Sequence, residues 1–134
     1  MLKSSLSAVA FTIAAMSVIG ATAVMSADAP SVTRKVLNQQ DVMSGNTMAE
    51  IAVEIPVGGR EGRHTHPGPL MVYVTEGAIS LDYEGKENIT YKAGEAFFVE
   101  AGKIHEGINR GNVPARAIAT FVGPKGPPIT TQVQ

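Results

Sequence analysis

The sequence predicts an all-β domain, a sandwich or barrel assembled from hairpins. Apolar residues alternate with a period near two in short runs, and glycine or proline interrupts the chain about every ten residues. Beyond the N-terminal stretch, no segment carries an apolar stripe at helical spacing. Composition agrees. A chain of 134 residues, 44% apolar and 17% charged, with 14 glycines and 8 prolines, describes one small globular domain and excludes a coiled coil, a collagen or extended disorder.

At the N-terminus, Met1-Leu2-Lys3 is a short positive start, residues 6–20 form an uncharged run rich in Ala, Val and Ile, and small residues follow. That layout predicts a secretory signal over residues 1–27, cleaved after Ala23, Ala27 or Ala29. The protein is then periplasmic or secreted, with no stable membrane span after cleavage. Interrupting Ser, Thr and Gly residues set this run apart from an uncleaved anchor, although residues 6–25 have about the length of a bilayer span.

Residues 28–47 read as an N-terminal segment, polar and loose from 38 to 46, with residues 32–37 able to form a strand against a second subunit. Residues 48–55 alternate before the Pro56-Val57-Gly58-Gly59 turn, and residues 70–75 are a β-branched and aromatic run closed by Glu76-Gly77. Residues 79–83 alternate up to Glu84-Gly85-Lys86, and residues 89–91 lead into Ala93-Gly94. Residues 96–99 precede Ala101-Gly102, and residues 115–122 are the last run before Gly123-Pro124. Residues 124–134 read as a loose tail, because Pro124, Pro127 and Pro128 lack the donor that a central strand needs.

Charge and cysteine content exclude several functions. With 11 basic and 12 acidic residues the net charge is −1, so no global field attracts nucleic acid or an anionic membrane. The absence of cysteine removes both disulfides and a thiol nucleophile, and no Gly-x-Ser-x-Gly elbow is present. An exported domain of this kind holds itself together by packing, or by packing plus a metal.

The chemistry lies in the histidines. His64-Thr65-His66 in an extended segment puts two imidazoles on one face, and His105 follows 39 positions after His66. Each histidine alone reads as a solvated loop residue. Together, three imidazoles from two strands can occupy one side of a coordination sphere and leave the rest open.

This arrangement resembles the cupin superfamily, small double-stranded β-helix or jelly-roll barrels with two signature motifs. The first motif is Gly, five residues, His-x-His, three or four residues, Glu, six residues, Gly, and it is matched by Gly58, His64, His66, Leu70 and Gly77. The second is Gly, five residues, Pro-x-Gly, two residues, His, three residues, Asn, matched by Gly94, Glu100, Gly102, His105 and Asn109. The resemblance covers residues 49–122 and implies a single jelly-roll barrel over residues 48–123. It also implies His64, His66 and His105 as ligands of one divalent transition metal ion (Zn, Fe, Cu, Ni or Mn), and a homodimer, since cupins commonly pair.

Two positions depart from the pattern. Leu70 stands where the family has its carboxylate ligand, and Glu100 stands where it has proline. A three-histidine site, a weakened site and a metal-free barrel all stay open. Neutral imidazoles without a carboxylate favour zinc, copper, iron or nickel over manganese. Glu76, Glu100 and Glu106 are the carboxylates near the motifs. All three read as solvated surface, with Glu106 turned away from His105 by strand alternation.

Gly58, Gly77, Gly94 and Gly102 are expected in turns with positive φ, and Asn109 in a structural role. Met48, Met71, Tyr73, Tyr91, Phe97 and Phe98 are candidates for pocket walls, with core packing as the default. Two function classes follow. One is a metal-dependent enzyme acting on a small molecule, with no catalytic residue assignable because no histidine is left as acid or base. The other is a non-catalytic barrel that binds a small ligand or a metal. A purely structural barrel is the third and weaker reading.

Overall fold

The computed structural model describes residues 31–134, so the signal reading of residues 1–27 and its cleavage points lies outside it. The described residues form ten strands: β1 (Thr33–Val42), β2 (Asn46–Ile55), β3 (His64–Thr65), β4 (Leu70–Glu76), β5 (Ala78–Tyr83), β6 (Ile89–Lys92), β7 (Ala96–Val99), β8 (His105–Ile108), β9 (Ala115–Pro124) and β10 (Thr131–Gln132). They build two five-stranded sheets, β1-β2-β9-β4-β7 and β10-β3-β8-β5-β6, with every pairing antiparallel. This is the all-β jelly-roll barrel that the sequence predicts.

Four strands of the first sheet, β2, β9, β4 and β7, are made by alternation. β2 and β9 pair without a slip from Asn46↔Pro124 to Ile55↔Ala115, so Ala49, Ile51 and Ile55 face inward beside Ala115, Ala117, Ala119 and Phe121. The alanines of β9 let the opposite wall approach, and Phe121 is fully enclosed. On β4 and β7 the inward residues are Leu70, Val72, Val74, Phe97 and Val99. Their strand neighbours Met71, Tyr73 and Phe98 therefore face out and are about half exposed, as is Met48 on β2. Those four are neither pocket wall nor core. Phe97 does line the barrel interior, with Tyr91 packed on it at 4.8 Å between ring centroids.

Gly58, Gly77, Gly94 and Gly102 all adopt positive φ, between 68° and 92°. Gly77 is the tightest of them, since a Cβ there would lie 2.7 Å from the Pro114 carbonyl oxygen.

The two ends of the domain differ from the sequence reading. Residues 33–42 are a ten-residue strand that pairs with β2 of the same chain, interrupted by a bulge between Val36 and Asn38, where a loose segment or a strand on a second subunit was expected. β2 offers a bare edge opposite β9, and pairing it satisfies backbone donors and acceptors whatever side chains β1 carries. The tail is also ordered. Past the prolines, Thr131 and Gln132 pair with Thr65 and His64, and the Val133 amide donates to the Arg63 carbonyl at 2.9 Å. Proline removes only its own donor, so the residues after Pro128 are free to form a strand.

Candidate metal centre

The second sheet brings the histidines together through its register. His64 on β3 lies directly opposite His105 on β8, and His66 follows two positions later on the same face. Ring centroids are 4.3 Å apart for His64 and His105, 4.9 Å for His64 and His66, and 5.0 Å for His66 and His105. One nitrogen from each ring lies within 4.8 Å of the other two. All three side chains are buried.

Their orientation is set by the backbone. Each Nδ1 faces a carbonyl oxygen: His64 to Gly62 at 2.7 Å, His105 to Lys103 at 3.0 Å, and His66 to Ile129 at 2.7 Å. A carbonyl only accepts, so Nδ1 carries a hydrogen in each ring, and the neutral tautomer with that hydrogen leaves Nε2 its lone pair. This is the arrangement in which backbone acceptors fix the tautomer of ligating imidazoles. Burial pushes the His66 pKa down to about 4, opposed by its bond to Ile129 and aided by the neighbouring histidines. Burial lowers that of His105 as well. Both rings are held neutral, the form that binds a metal. The donor set therefore fits one transition-metal ion.

A cavity of about 40 Å³ adjoins the rings. Its walls are the inward side chains of the barrel, Leu70, Val72, Ile79 and Phe97 among them, and its polar members besides the histidines are Arg34, Glu61 and Thr130.

A cupin-domain profile matches residues 51–121. The chain belongs to the cupin family. Germin-like protein 1 of Brassica napus is 30% identical over 96 residues, covering 68% of this chain and 46% of that protein. This cupin thus spans less than half the length of the curated relatives it matches. Among solved structures, a double-stranded β-helix protein from Klebsiella pneumoniae superposes with a TM-score of 0.61 at 17% identity, covering 78% of this chain and 85% of that one. An oxalate oxidase in complex with glycolate gives 0.57 at 22% identity, covering 63% and 45%.

Within the cupin frame, Leu70 is buried and lines the cavity with the histidines, so the family's carboxylate position is apolar here. Among the described residues no carboxylate joins the three rings as a ligand cluster. Glu76 is exposed and paired with Arg116, and Glu100 is exposed and accepts from the Tyr83 hydroxyl at 3.2 Å, as solvated groups should. Glu106 does turn away from the rings, yet it is not solvated. It is 3% exposed, accepts from Arg60 Nε at 2.9 Å and Nη2 at 2.6 Å, and takes the Gly62 amide at 3.1 Å. The Arg60 guanidinium holds its carboxyl below the ordinary range. Glu106 thereby anchors the segment that presents His64.

Asn109, 1% exposed, donates to the Ile55 and Val113 carbonyls and accepts from the Gly111 amide, the structural role expected of it. Sequence reasoning missed Arg34, Glu61 and the Ile129 carbonyl. Arg34 and the tail lie outside the motifs, and Glu61 sits in a motif spacer where alternation from His64 would aim it outward, until Gly62, at φ 75°, turns the chain.

Proposed function

We propose that this cupin holds one divalent transition metal ion on His64, His66 and His105 and offers it to a small molecule entering the barrel. The observation that carries this reading is the triple backbone lock on Nδ1 in three buried rings that each have one nitrogen within 4.8 Å of the other two. Three neutral imidazoles without a carboxylate favour zinc, copper, iron or nickel over manganese. Such an ion, when bound, polarises an oxygen of its ligand as a Lewis acid. Leu70, Val72 and Phe97 exclude bulk water from the site, and the backbone carbonyls keep the rings in the binding tautomer. A small molecule suits the cavity's size, and the oxalate oxidase neighbour was solved with a small molecule, glycolate.

The proposal includes export, supported by the charged start, apolar run and small residues at the N-terminus. It also includes a homodimer. The half-exposed Met71, Tyr73 and Phe98 on the outer face of the first sheet supply an apolar surface for a second copy.

The test is metal content. Untagged protein isolated from the cells that export it should carry about one transition metal per chain, and His105→Ala should retain less than about a tenth of that, because losing a ligand exceeds the 10- to 100-fold cost of losing an outer partner. Equal metal in the two proteins removes His105 from the site.

A further inference from the structure

Besides the histidines, the cavity has two charged lining residues, Arg34 from β1 and Glu61 from the segment ahead of β3. Arg34 Nη2 donates to Glu61 Oε1 at 2.8 Å, with the two side chains 30% and 13% exposed. Glu61 uses its other oxygen to accept the Gly107 amide at 3.1 Å, so its carboxylate is tied to the backbone of β8. Arg34 is engaged on one side only. Its bond to Glu61 takes one of five N–H groups, and among the described residues it makes no other side-chain hydrogen bond.

The rest of β1 sharpens the point. Every residue of this strand is exposed and none joins the core, yet the strand reaches the cavity through Arg34. A guanidinium lining an apolar-walled chamber, paired on one edge by a fixed carboxylate, keeps N–H donors free for a second anion. Its planar fork matches a carboxylate.

We propose that Arg34 is the anion anchor of this cavity and that the molecule it takes is a small free carboxylate. The carboxylate would sit on the guanidinium edge that Glu61 leaves open, with the molecule's remaining atoms toward the histidines. The proposal rests on the metal-site reading for that second end. A chamber of about 40 Å³ suits a small carboxylate. Glu61 beside the fork also disfavours a dianion, since its carboxylate repels each added negative charge.

The test uses the full chain loaded with zinc and titrated with formate and acetate by calorimetry, with zinc occupancy measured in the same samples. Arg34→Gln should weaken acetate binding by about tenfold or more, since a charge-assisted fork is lost. Glu61→Gln should tighten it, because the competing carboxylate is gone while Arg34 stays. The opposite signs separate an anchor from a pair that only stabilises the mouth, and the second variant keeps the test open should the first fold poorly. Zinc bound at full occupancy with acetate affinity indifferent to Arg34→Gln, or acetate weakened by Glu61→Gln, overturns the anchor and leaves the metal reading standing. A chain that takes no zinc but binds acetate in an Arg34-dependent way overturns the metal reading and leaves the anchor.

Discussion

In the sheet β1-β2-β9-β4-β7 three strands run ten residues, whereas in the sheet β10-β3-β8-β5-β6 the strands that carry His64 and His105 are only two and four residues long. β2, β4, β7 and β9 put apolar side chains inward at every second position and close the core by area burial. β3 and β8 do something different. They carry polar groups on both faces, the imidazoles on one and Glu106, bound to Arg60, on the other, and side-chain bonds to backbone atoms hold each of them. The histidines and the longest core strands therefore lie in different walls, so damage to each should be separable.

The largest effect is expected on the long-strand side. Phe121→Ala removes a fully buried ring opposite Leu70 and should cost about 3–5 kcal/mol of stability. The folded fraction should bind zinc with unchanged stoichiometry, as read by denaturant melts alongside metal titration. Loss of zinc binding in folded Phe121→Ala would show that the walls are not independent.

The next effect belongs to the histidine side and has a defined sign. His66 is neutral in the folded state down to about pH 4, while the unfolded chain protonates it near 6.5. The unfolded state thus binds more protons in that window. In metal-free protein the associated stability is complete above pH 6.5 and is lost as pH falls toward 4, by up to about 3 kcal/mol from this one group. His105, lowered by the same burial, adds in the same direction. His66→Gln should flatten the profile in thermal melts between pH 7 and 4, and an unchanged slope would place the titration elsewhere.

A smaller effect is expected from the tail. Ending the chain at Pro128 removes β10 and the Ile129 carbonyl that orients His66, and should weaken zinc about tenfold, with a smaller loss of stability from the Ile129 side chain that packs against the core. Unaltered zinc affinity in the shortened chain would mean that the tail merely covers the site.

The same division explains what could be read from the sequence. β2, β4, β7 and β9 are legible because burial of one face imposes a period of two on their residues. β8 is not, since His105, Glu106, Gly107 and Ile108 are all buried and leave no alternation to detect. β1 and β10 form because a neighbouring edge needs pairing, a cause that their own side chains do not express. The three histidines stand out through their motif spacing. Arg34 and Glu61 do not, because each reaches the cavity only once β1 and the Gly62 turn are in place. Glu106 misleads for a related reason: its burial depends on Arg60, 46 positions away.

The central claim, that three backbone-locked imidazoles converge their Nε2 atoms on one ion, is tested most directly by nitrogen-15 NMR of the histidine rings. At pH 8 the metal-free protein should present all three rings with a proton on Nδ1. One equivalent of zinc should then shift all three Nε2 resonances together and leave the Nδ1 protons in place. Rings protonated at Nε2, or zinc that moves fewer than three of them, would contradict the account.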